Sequence, residues 1–271
     1  MRIALIWKAA GVLALAAGLA FAQKPPQPKS QKELTALQAM FNEQDPDKRI
    51  AAVESLLTNF ADTEFKTIAL QLAASSAQQK GDFERMVVYS ERTLESDPNN
   101  YAAMLMLATG LAQRTKEFDL DREEKLNRAD KYANNALQLI PKAPKPRPDI
   151  TDEQWAGAQK ELAAQAHEAL GMSATVRKKY DVAIKEYSAA IEGTPNPDPA
   201  TYVRLADVYV LSNKPDDAIA TLAKLDAIPN LNPAVKNVAK NVRDRAEKVK
   251  AGTMKVPANT GSAPAQVEIK K

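Results

Sequence analysis

Alternation of small and large residues at helical spacing between Ala164 and Pro195 constrains this chain more than any other stretch. Leu170 and Gly171 stand in one amphipathic segment, Ala183, Tyr187 and Ala190 in the next, and Pro195 closes the unit. Two antiparallel helices approach closely only where one backbone offers small side chains and large neighbours fill the gap beside them. Gly171, Ala183 and Ala190 give the approach, and Leu170 and Tyr187 the filling. A helix pair this short leaves apolar surface on both sides, so the chain should contain copies that cover it.

Three further stretches have the same organisation. Thr67 to Gln79 carries Leu70, Ala73, Ala74 and Ala77 on one face, and Gly81 to Pro98 follows as its partner, with Met86 and Thr93 where smaller residues are expected, predicting looser packing. Tyr101 opens a third unit through Met104, Leu107, Ala108 and Leu111, which resumes at Ala129, Ala133, Ala136 and Pro141 after a polar insertion at Thr115 to Lys125. Pro199 to Pro229 repeats it again, with Tyr202, Leu205, Ala206 and Tyr209, then Ala218, Leu222 and Leu225. The unit resembles the tetratricopeptide repeat, a helix-turn-helix of about 34 residues that stacks on itself. The resemblance covers about Thr67 to Pro229 and implies an all-α fold, a right-handed α-solenoid of stacked antiparallel helix pairs ended by a C-terminal capping helix.

Composition agrees with helices. Hydrophobic residues make up 45% of the 271, yet aromatics only 6%, and no run alternates Val, Ile, Thr and aromatics as a strand would. Residues 1–22 stand apart: Arg2 and Lys8 precede an apolar run from Ala9 to Leu19, and Ala20-Phe21-Ala22 has the small-x-small pattern of a signal-peptidase site. An exported protein, periplasmic or secreted, beginning at Gln23 is the expectation; an uncleaved anchor with Lys8 snorkelling is the alternative. The chain has no cysteine, which excludes a lipidated N-terminal cysteine and any disulfide framework.

The proline-rich stretch at 23–29 reads as a tether, and 30–62 as a divergent first helix pair. In that pair Ser30 and Glu33 have capping-box spacing, and Asp45-Pro46 supplies a cap and first position. Repeats occupy 63–141 and 151–229, separated by a proline-rich connector at 142–150, whose basic residues are alternatively a docking site. Thr151 to Gln154 forms a second capping box, opening a helix to about Lys178 that is longer than a repeat needs; its overhang, bearing Trp155, should protrude or fold against the insertion. Asn232-Pro233 starts the capping helix at 230–250, apolar through Val235, Val238, Ala239, Val242, Ala246 and Val249, and 251–271 reads as a disordered tail.

The chain is poor in catalytic groups. His167 is the single histidine and lies on the packed face of the clearest unit, where a structural role is expected. No Gly-rich phosphate loop and no HExxH pattern occurs, and the carboxylate pairs Glu123-Glu124 and Asp216-Asp217 sit at helix starts, where the helix dipole accounts for them. These features point to no enzyme, no cofactor and no metal; a hydrolase using carboxylates alone would need two of them converging on one groove. Nucleic acid is an equally poor partner. Without Arg2 and Lys8, 35 basic side chains face 34 acidic ones, with the signs mixed along every helix.

What remains is the surface that stacking creates. The resemblance implies a concave face lined by the first helix of each pair, able to take a protein or peptide partner. Read as the open faces of those helices, the lining is Ile68, Gln71, Ser75 and Gln78; then Leu105, Thr109 and Ala112; then Glu168, Met172 and Thr175; then Val203, Asp207 and Val210. This lining is neutral and partly apolar, without the Lys, Arg and Asn set of repeats that clamp a C-terminal carboxylate. The expected function is a non-enzymatic scaffold in the bacterial cell envelope, with no membrane insertion after signal cleavage; the alternatives are a homo-oligomerising module that self-associates through Trp155, or an accessory subunit of an envelope assembly.

Overall fold

The computed structural model describes residues 26–256, so the expected export signal at 1–22 and the tail beyond Val256 lie outside the described residues. Among the described residues there are eleven α-helices and no strand. They are α1 (Gln31–Asn42), α2 (Pro46–Asn59), α3 (Lys66–Lys80), α4 (Phe83–Ser96), α5 (Tyr101–Arg114), α6 (Arg122–Leu139), α7 (Asp152–Val176), α8 (Tyr180–Glu192), α9 (Pro199–Leu211), α10 (Pro215–Asp226) and α11 (Pro233–Lys250). No helix among the described residues is long and apolar enough to cross a membrane.

The helix starts follow the sequence closely. Asp45, Asn100, Asp198 and Asn232 each accept a backbone N–H of the first turn, and Pro46, Pro199 and Pro233 stand where no N–H is needed. At Thr151 the capping box closes both ways, Gln154 N–H to Thr151 Oγ1 at 3.1 Å and Thr151 N–H to Gln154 Oε1 at 3.0 Å. At Ser30 only half of it forms. Glu33 is 1% exposed and turns its carboxylate to the Lys29 N–H and the Thr63 hydroxyl, 2.6 Å each, so it ties α1 to the turn before α3.

The pairs α3/α4, α5/α6, α7/α8 and α9/α10 stack in chain order, with α1/α2 before them and α11 after. Each buried cluster joins elements of neighbouring pairs: Leu107, Met172, Tyr187 and Leu205 pack together, as do Met104, Ala133 and Ala169. First helices also touch across the stack, α5 against α7 and α9 against α11. Three turns inside the pairs are alike. Gly81, Lys178 and Asn213 all adopt left-handed φ near +60° to +77°, and the following N–H bonds back to Ala77, Ala174 and Tyr209. The fourth, between α5 and α6, is replaced by the loop at 115–121.

Four expectations need correction. Met86 does not loosen its pair: it is 3% exposed and its Cε fills the space over Gly110, where a Cβ would lie 2.5 Å away. The overhang of α7 neither protrudes nor meets the insertion. Trp155 Nε1–H donates to the Ala143 carbonyl at 3.0 Å and Gln159 Nε2 to that of Ile140 at 2.6 Å, clasping the start of the proline-rich connector. Antiparallel packing requires this, because the insertion lies beside the other end of α7, where Arg177 meets Glu123. Residues 251–256, read as the start of the tail, pack back instead, with Met254 and Val256 against the last apolar cluster. Val238, read as part of the capping face, is 52% exposed.

Candidate protein-binding face

Positions of the proposed lining depend on what each first helix is packed against. Leu105, Met172, Val203 and Val210 are 4%, 9%, 7% and 0% exposed, and Ala112 is buried as well. They do not line an open groove. The faces taken as open are covered by the next first helix, so Val203 and Val210 pack with Ala239 and Val242 of α11 and Leu105 with Ala166 and Ala169 of α7. Thr175 is half-buried, its hydroxyl donating to the Gly171 carbonyl at 2.8 Å and lying 3.5 Å from the Tyr187 hydroxyl. Ile68, Gln71, Ser75 and Thr109 remain half-buried, and Gln78 is exposed.

The accessible part is therefore polar, and its charged members are held across repeats. Glu168 on α7 accepts from Arg204 on α9, and Asp207 on α9 accepts from Arg245 on α11. Earlier in the stack, Asn100 Nδ2 donates to Gln71 Oε1 at 3.2 Å. A second ladder joins the other helices of the pairs: Arg92 to Glu54 at 2.6 Å, and Arg128 to Glu91. The paired residues are 36, 38, 38 and 37 apart, one structural unit in each case. Sequence reasoning missed both ladders, although an acid followed by Arg one repeat later was a visible signal.

Burial acts on this face. The Glu168 carboxyl lies above the usual carboxylate range chiefly through desolvation, with Arg204 and the Thr201 hydroxyl opposing that shift. Tyr187 is pushed up to about 12, again by desolvation first. For a group raised in the folded state the stabilising contribution is complete below the unfolded value, about 10, and is lost as pH rises through the folded one. Tyr89 is also pushed up to about 12, so alkaline titration followed at 295 nm should show a late step near pH 12 that Tyr187→Phe reduces and does not abolish, with stability falling between about pH 10 and 12. His167, expected to be structural, links α7 to α8 through its Nδ1, 2.7 Å from Glu186 Oε2. Among the described residues no group of three or more His, Asp or Glu is placed to hold a metal ion.

Residues 177–241, spanning α8 to α10 and the first half of α11, match a family model described as tetratricopeptide repeat. This segment is similar to tetratricopeptide repeats. Its neighbours α3 to α7 continue the same pairing, with the same left-handed turn at Gly81 as at Lys178 and Asn213. No curated protein matches the chain. Among solved structures, a tetratricopeptide repeat protein from Parabacteroides merdae is similar at 12% identity over 82% of this chain and 93% of that one, with a TM-score of 0.44. The assembly chaperone of RpL4 (Acl4), residues 1–338, is similar at 14% identity over 84% of this chain and all of that one, with a TM-score of 0.41.

Proposed function

We propose that this chain is a non-enzymatic scaffold of the bacterial cell envelope that binds another protein through the first-helix face of its repeats. The observation that carries the reading is the face itself: Gln71 on α3 is held by Asn100 at the start of α5, Glu168 on α7 by Arg204 on α9, and Asp207 on α9 by Arg245 on α11. Side chains already ordered lose little entropy when a partner binds, which favours recognition there. Export is the part of the proposal that rests on Arg2, Lys8 and the apolar run to Leu19 alone.

The test is purification from the native host with identification of co-purifying proteins, repeated with Gln71→Arg, Gln78→Arg and Thr109→Arg together. A specific partner should be lost by at least tenfold while helicity is unchanged; retention of every partner contradicts the face. Leu105, Met172 and Val203 are unsuitable probes because charges there would break the core. Export is checked separately by N-terminal sequencing. A start at Gln23 in the envelope fraction supports it, and an intact Met1 in the cytoplasm opposes it.

A further inference from the structure

The partner-binding face is not built uniformly along the stack. Helices α5 and α7 pack closely against each other, as do α9 and α11, but α7 and α9 do not. They are joined through α8, whose Tyr187 packs with Met172 of α7 and with Leu205 and Val208 of α9. On the face itself an ion pair spans this gap, Glu168 on α7 accepting from Arg204 on α9. The Glu168 side chain is 14% exposed and that of Arg204 32%, so the carboxylate is largely out of water while the guanidinium stays at the surface.

The groups around Glu168 decide when this pair opens. From α9 they are Arg204, the Thr201 hydroxyl and, at the cap, Asp198; from α8 the Tyr187 hydroxyl. The only charged side chain of α5, Arg114, turns to Gly81, and α6 turns Glu123 and Asp130 to Arg177 at the end of α7. His167, next to Glu168 on α7, pairs with Glu186. Burial first, and then Asp198, raises the Glu168 carboxyl against Arg204 and Thr201. Its contribution to stability is therefore complete below the ordinary carboxylate value, about 4.3, and is lost as pH rises through the raised one, so protonation does not unfold the stack. Arg204 then has no second carboxylate waiting for it, because Asp207 is held by Arg245 and Asp198 by the Ala200 N–H at 2.8 Å. We propose that Glu168 and Arg204 form a latch on the partner-binding face, closed at neutral pH and opened in mild acid, when Glu168 takes up a proton and releases the guanidinium. A partner then meets a free arginine beside an unbridged gap, and the apolar contacts through Tyr187 keep the helices together. As regulation of that face, the latch rests on the proposed function.

Full-length protein with isotope-labelled glutamate and arginine is followed by NMR from pH 7.5 to pH 4.5. The Glu168 Cδ signal, assigned by its loss in Glu168→Gln, should titrate above the ordinary value of about 4.3. Exchange of the Arg204 Nη hydrogens with water, taken relative to the intrinsic rate at each pH and assigned with Arg204→Lys, should be about fivefold faster or more at pH 5 than at pH 7.5. Glu168→Gln has the shape of the protonated carboxyl without its charge, and should show the faster relative rate at both pH values. His167→Gln should leave both signals as they are in the wild type. A Glu168 that stays ionised to pH 4.5 overturns the latch. So does one that takes up a proton while Arg204 keeps its protection, or a pH response that His167→Gln abolishes. These measurements need no partner, so their failure leaves the face as a binding surface, and a failed co-purification leaves the latch standing.

Discussion

Tyr187→Ala should destabilise the C-terminal half by about 3–5 kcal/mol, the range for removing a buried aromatic side chain from a core that cannot collapse around it. Tyr187 is 2% exposed and its ring lies over Gly171, so that a Cβ there would sit 2.6 Å from Cε1 and 2.7 Å from Cδ1. Gly171→Ala probes the same contact from the other side. In an exposed helix that change gains about 1 kcal/mol; here the rigid ring has nowhere to go, and a net loss of about 1–3 kcal/mol is expected. Gly110→Ala is the useful contrast, since the nearest atom is the movable end of Met86, and its cost should be smaller. Hydrogen exchange in α7 and α8 would report these changes locally, as repeat arrays need not unfold in one step.

Arg177→Ala should cost about 1–2 kcal/mol, because it removes a largely buried guanidinium from several hydrogen bonds while its carboxylate partners stay partly in water. The Arg177 side chain is 10% exposed and donates to Glu123 at 2.8 Å, Asn127 at 2.8 Å and Asp130 at 2.9 Å on α6, and also to Ser173. It closes the far end of α7 onto the start of α6. Arg177→Lys keeps the charge but not the forked geometry, so it should recover only a minor part of the loss. The Arg177 hydrogen bond is the main reason the Glu123 carboxyl lies below its usual value. Stability from that shift is present above the unfolded carboxylate range and is lost as pH falls through the lowered folded value, so the difference between wild type and Arg177→Ala should narrow in acid. Denaturant midpoints at pH 7 and pH 3 would show it.

Local rules made much of the fold readable before any coordinates. Gly171 with Tyr187 marked a close helix pair, Thr151 with Gln154 a helix start, and Asn232-Pro233 the capping helix, because each signal lies within one helix or two adjacent ones. The binding face was less readable for a physical reason. Whether Val203 or Leu105 is open depends on the next first helix, about one repeat further along the chain for Val203 and nearly two for Leu105, and treating each pair alone exposed residues that stacking buries. Glu168 and Asp207 are half-buried on α7 and α9, and the arginines that hold them lie 36 and 38 residues downstream, beyond any local pattern. Distance does not explain the missed clasp of Trp155 on Ala143: its partner is only 12 residues away, and the contact depends on the connector folding back.

The central claim, that partners meet the first-helix face, is tested most directly by site-specific photo-crosslinking in the native host. A photoreactive residue is placed at Gln78 or Thr109 on the first helices and at Glu95 or Lys131 on the second helices of the same pairs. The account predicts one shared crosslinked protein from the first two positions and none from the other two. A discrete product from Glu95 or Lys131, with silence at Gln78 and Thr109, would contradict it.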